Sequence, residues 1–142
     1  MTSFFVTKAK AKAQLVGIKA AMTLLPAPRP TVFSGEGAAL KLCQAMATFG
    51  HKNVLIVSDK ILNNLGVLKP LEAKFQELGV KVAIFDGVLP DPTMSITEAC
   101  LQHYKTAHCD SVLAVGGGSS IDVAKVALAA STQKTPQQLG VF

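Results

Sequence analysis

The sequence predicts an α/β fold, an open parallel sheet with helices on both faces, and three observations carry that expectation. First, the apolar runs at 54–57 (VLIV), 82–85 (VAIF) and 112–115 (VLAV) lack the polar alternation of a half-exposed strand, so each reads as a parallel strand buried on both faces. Second, stretches with apolar residues three and four apart separate these runs, which is the period of a helix covering a sheet. Third, the 142 residues are 49% apolar, 16% charged and 6% aromatic with no Trp, so the core must be built mainly of Ala, Val, Leu and Ile. That composition excludes a disordered, collagen-like or disulfide-scaffold chain.

In order, a short first strand is expected at 31–33 (TVF), following the Pro-rich boundary LPAPRP at 25–30. A helix follows Gly37, with Leu42, Cys43, Met46 and Phe49 on one face, and stops at Gly50. After strand 54–57, a helix beyond Pro70 buries Leu71, Phe75 and Leu78 and stops at Gly79. After strand 82–85, the loop FDGVLPDPT is stiffened by two prolines, and Thr93 caps a helix carrying Ile96, Ala99, Cys100 and Tyr104. That helix ends at 108–110; strand 112–115 and a last helix with Ala124, Ala127 and Leu128 inside complete a βαβαβαβα order with right-handed crossovers.

The chemistry concentrates at 112–125 (VLAVGGGSSIDVAK). Three glycines at the carboxyl end of a parallel strand place bare backbone where a ligand approaches closely, and the following helix N-terminus favours an anion. A pyrophosphate is the natural occupant. A ligand-free alternative is a tight turn with Ser119 as N-cap and Asp122 closing an S-x-x-D capping box. That alternative accounts for Ser119 and Asp122 but not for Gly116, Gly117 and Gly118 in succession. No lysine follows Gly118, which argues against a P-loop, and the GxGxxG fingerprint with a following acid is missing. Asp59, after strand 54–57 at the same sheet edge, could accept hydrogen bonds from an adenosine ribose and repel a 2′-phosphate, favouring NAD over NADP. Its plainer roles are a helix cap or a loop acid paired with Lys60.

The segment GGGSSIDVAK matches the GGGSxxDxxK pattern of the iron-containing alcohol dehydrogenases, and VLIVSDK and LGVKVAIFDGVLPDPT resemble that family's preceding units in the same order. The resemblance runs from Thr31 to the end and implies a Rossmann-like dinucleotide-binding domain over 31–142, incomplete, behind a basic extension at 1–30. It implies that Gly116, Gly117, Gly118 and Ser119 bind the pyrophosphate of NAD and that Asp59 sits at the ribose. Asp91 stands where many members carry Asn near the nucleotide, and Asp122 and Lys125 complete the motif as support for the site. The family transfers a hydride between an alcohol or aldehyde and NAD at an oxygen polarised by iron or zinc, with the metal held by an Asp and three His in a C-terminal all-helical domain. No counterpart of those ligands occurs in these 142 residues, so no catalytic or metal residue is assigned and the fold is expected to be cut short before that domain. Cys100, His103, His108 and Cys109 resemble a zinc set in type, but Cys100 belongs to the apolar stripe of its helix.

The net charge of +5 narrows the partners less than it suggests. Lys8, Lys10, Lys12, Lys19 and Arg29 occupy a stretch without acids, and the other nine basic residues balance all nine acidic ones. A neutral body without interleaved aromatics excludes a nucleic-acid face, and no run of 18 apolar residues spans a membrane. The extension reads as an exposed helix with snorkelling lysines rather than a targeting segment. An odd cysteine count without framework spacing places the chain in the cytoplasm. Thr31 to Phe33, near the sheet edge, could pair with a second copy in a homodimer. Two other readings stand beside the dehydrogenase part: a nonenzymatic nucleotide-binding or interaction module from a truncated frame, and a phosphate-ester binder.

Overall fold

The computed structural model, which describes residues 31–131, forms a parallel sheet from β1 (Asn53–Val57), β2 (Lys81–Phe85) and β3 (Ser111–Ala114) in the order β2-β1-β3. Alternation along the central strand shows why helices cover both faces. Val54 and Ile56 point into one core with Cys43 and Met46 of α1 (Ala38–Thr48) and Leu71 and Phe75 of α3 (Lys69–Glu77). Leu55 and Val57 point into a second with Cys100 of α4 (Met94–Thr106) and Val123, Ala124 and Ala127 of α5 (Gly118–Ser131). All four β1 side chains are fully buried, and each stabilises the fold by about 1.5–3 kcal/mol on leaving water.

The outer strands depart from the expectation of burial on both faces. β2, at an edge of the described sheet, is only half-buried along 82–85, and β3 alternates between buried and half-buried residues. A second departure is at 31–33, which forms no strand, so the described sheet has three strands rather than four. Val32 is 81% exposed, and three residues with no buried face gain too little to order as a strand. The basic extension and its expected helix lie outside the described residues.

Helix ends follow local chemistry. Gly50 and Gly79 take positive φ just past α1 and α3, and the amides of His51 and Val80 reach back to Met46 and Phe75 carbonyls. His108 stands in the equivalent place after α4 with φ 51, and the Cys109 amide reaches back to the Tyr104 carbonyl. Thr93 occupies the N-cap position of α4 as expected, but its hydroxyl lies 2.7 Å from Ser95 Oγ and accepts from no backbone amide.

The sheet end away from the glycine loop is tied by Asp110. Its carboxylate accepts from Lys52 N–H (2.7 Å) and Asn53 N–H (3.3 Å) at the start of β1 and from the Ser111 hydroxyl (3.0 Å), while Asn53 Nδ2 donates to the His108 carbonyl (3.0 Å). Partial burial pushes the Asp110 carboxyl up, but these donors and nearby His51 outweigh it and hold the carboxyl below its ordinary range. A depressed carboxyl contributes stability above its unfolded value and loses it as the pH falls through the folded one. Asp110→Ala should therefore cost ~1 kcal/mol at neutral pH, since the half-exposed group is screened. In urea titrations the wild-type advantage should be full above about pH 5 and shrink as the pH drops below about 4.

Candidate functional site

The carboxyl ends of the three strands open onto a cleft of ≈ 620 Å³, a size suited to a small-molecule ligand. One wall is the segment after β1, a second is the loop after β2, and the third is the start of α5. Backbone and side-chain bonds fix these walls. Ser58, fully buried, donates from Oγ to the Val115 carbonyl (2.8 Å), and the Val115 amide donates to the Val57 carbonyl (2.9 Å). These two bonds hold the end of β1 in register with the base of the glycine loop. On the other side, the Ser58 amide donates to the Phe85 carbonyl (2.8 Å), and an isolated bridge pairs Asp59 with Gly87.

Asp59 lines the cleft and also caps a helix the periodicity did not reveal, α2 (Lys60–Asn64). Its Oδ1 accepts from the Leu62 amide at 2.9 Å, so the plainer role as a helix cap is real. Among the described residues no protein donor reaches its Oδ2, and the second oxygen remains free for a ligand hydroxyl.

The three glycines divide into two kinds. Gly116 has φ +143, and a Cβ there would stand 2.7 Å from Ser120 Oγ, so the fold itself demands glycine. Gly117 and Gly118 have no positive φ, and a Cβ at either meets no atom of the described residues within 4 Å beyond its chain neighbours and the local helix backbone. Among the described residues nothing requires glycine at these two positions. Both line the cleft at the N-terminus of a 14-residue helix, where free N–H groups and the positive end of the dipole face the space that side chains would fill.

Helix α5 begins at Gly118, one residue before the expected cap, with the Ile121 amide donating to the Gly117 carbonyl (3.3 Å). Ser119 is therefore a first-turn residue rather than an N-cap, and the capping box with Asp122 does not form. Ser119 does line the cleft, together with Pro90 of the proline-stiffened loop and with Ser120, Asp86 and Leu89, to which the sequence pattern assigned no role. Gly116, Asp91 and Asp122 stand outside its lining; Asp91 is exposed with φ 54, a left-handed conformation in which Asn and Asp are tolerated, and Asp122 is exposed on α5.

The sequence pattern of the iron-containing alcohol dehydrogenases matches residues 28–140, the whole of the described sheet and cleft. The chain belongs to the iron-containing alcohol dehydrogenase family. It is 35% identical over 95 residues to lactaldehyde reductase of Escherichia coli and 33% identical over 96 residues to the NAD-dependent methanol dehydrogenase of Bacillus methanolicus. These matches cover 67% and 68% of this chain but 25% of each relative. The alcohol dehydrogenase from Oenococcus oeni superposes with a TM-score of 0.64 at 33% identity, over 68% of this chain and 26% of that one. The chain thus spans about a quarter of the length of these family members. What it shares with the Oenococcus oeni structure is the fold of this part of the chain.

Among the described residues no three His, Cys, Asp or Glu side chains come together as ligands for an ion. Cys100 is fully buried in the core, and burial pushes its thiol up to about 11. Among the described residues no helix is long and apolar enough to cross a membrane.

Proposed function

We propose that this chain is the NAD-binding part of an alcohol dehydrogenase of the iron-containing family. The observation that carries the reading is the pair Gly117 and Gly118, left without side chains by neither strain nor packing, at the mouth of α5. Pyrophosphate oxygens would lie against the backbone N–H groups of that helix start, with Ser119 beside them. Gly116 shapes the turn that presents these groups. Asp59 Oδ2 would accept from a ribose hydroxyl, while Ile61, Val88 and Leu89 offer the apolar walls an adenine ring needs. Asp91 and Asp122 act at a distance, the first by shaping the loop behind Pro90 and the second by its place on α5.

For a full-length enzyme of this family the proposed substrate is a small alcohol or aldehyde, and no group that would activate it is assigned among the described residues. Thiols at Cys43, Cys100 and Cys109, all free, suit a reducing compartment such as the cytoplasm. Saturation-transfer NMR with NADH and the whole 142-residue chain tests the nucleotide reading. Transfer to adenine and ribose protons, displaced by AMP but not by inorganic phosphate at the same concentration, is the expected result. No transfer to NADH would sink the reading, and equal displacement by inorganic phosphate would turn it into a phosphate-ester site.

A further inference from the structure

Of the acids expected near the nucleotide, Asp59, Asp91 and Asp122, Asp59 lines the cleft and the other two do not, while a carboxylate that was not expected there, Asp86, does. Register pairs Val57 with Phe85, so β1 and β2 end at the same level, and Asp59 and Asp86 follow them on adjacent walls. Asp86 does not hang free. The Asn63 side chain, one turn along the helix that Asp59 caps, donates from Nδ2 to Asp86 Oδ2 at 2.7 Å in a part-buried setting. The bond spans 23 residues of sequence and closes a small ring with the Asp59–Gly87 bridge. Among the described residues no protein donor reaches Asp86 Oδ1. Among the described residues the cleft is therefore polarised, with the N-terminus of α5 at the glycine wall, one carboxylate on each of the other two walls, and the exposed Lys60 as the cation in its lining.

We infer that Asp86, held by Asn63, is a second specificity-determining carboxylate of this cleft, which turns away nucleotides carrying a phosphate on the adenosine ribose. The inference rests on the nucleotide-binding reading above. A single carboxylate at a ribose can be evaded when the sugar shifts toward the neighbouring wall, but the wall after β2 here carries the second negative charge. Asn63 keeps Asp86 from swinging out to solvent, where screening would remove its effect. An added phosphate then meets repulsion on both of these adjacent walls, and removing Asp59 alone leaves part of the barrier standing. A carboxylate whose only task was to anchor Asn63 would affect phosphorylated and unphosphorylated nucleotides alike.

The test is a two-by-two comparison on the whole chain: wild type, Asp59→Asn, Asp86→Asn and the double variant, each titrated with NADH and NADPH. Asp86→Asn should raise the ratio of NADPH to NADH affinity by about 10-fold in either background, and the double variant should raise it by about 100-fold. Asp86→Ser, smaller and also neutral, should give the same direction if the asparagine variant folds poorly. Tight NADH binding with an unchanged ratio in both Asp86 variants overturns this inference and leaves the nucleotide reading intact. A wild-type chain that binds neither nucleotide overturns both.

Discussion

Gly117→Val is expected to leave a folded chain that has lost at least ~100-fold in NADH affinity, or ~2.7 kcal/mol, measured by titration calorimetry. The two halves of that result come from different observations. Folding survives because a Cβ at Gly117 meets no atom of the described residues within 4 Å beyond its neighbours and the backbone there has no positive φ. Some stability is lost, since valine is a poor residue at the position just before α5, and ~1 kcal/mol off the unfolding free energy is the expected cost. Binding fails because the isopropyl group occupies the space in front of the helix N–H groups, where the pyrophosphate must lie to be held. Serine sharpens the contrast. It is a better helix cap than glycine, so Gly117→Ser should match or slightly exceed wild-type stability while still weakening NADH. Gly116→Ala should behave in the opposite way, because φ +143 and the 2.7 Å approach to Ser120 Oγ make it a folding defect first. Wild-type NADH affinity in Gly117→Val would show that the ligand approaches some other part of the cleft.

Those glycines also show where sequence reasoning reaches and where it stops. Three apolar runs and the spacing of Cys43 and Met46, Leu71 and Phe75, and Ile96 and Cys100 predict three strands and three covering helices because burial imposes period on a chain. The family pattern adds the glycine loop. What was not legible depends on turns rather than on periods. Helix α2 is five residues with none buried, so it leaves no apolar stripe, and its one local sign is the capping aspartate before it. The run 31–33 has a strand's composition but lacks a face to bury. Ser119 and Asp122 have capping-box spacing, yet α5 starts at Gly118, because the glycine turn delivers the chain into helix one residue early. Asn63 and Asp86 come together only through the turn after β1 and the loop after β2, and no spacing rule links residues 23 apart.

Asp59 carries two roles, and a pair of substitutions can separate them. Its Oδ1 caps α2 through the Leu62 amide, and its charge is proposed to select the nucleotide. Asp59→Ala removes both, so it should lower stability by ~1 kcal/mol through the lost cap and also relax the preference for NADH over NADPH. Asp59→Asn keeps an oxygen that can accept from the Leu62 amide and removes only the charge. Its unfolding midpoint in urea should stay near wild type, while its NADPH affinity rises relative to NADH by about 10-fold, as the loss of one nearby like charge requires. Equal shifts in the affinity ratio with unequal losses of stability would assign selection to the charge and the cap to the oxygen. If instead the ratio moves only in Asp59→Ala, the aspartate acts by shaping α2 and the adjoining wall, and selection must come from the geometry that the cap maintains. The cleft's remaining carboxylate, Asp86, then becomes the group against which that geometry has to be measured, because Asn63 ties it to the same short helix at 2.7 Å.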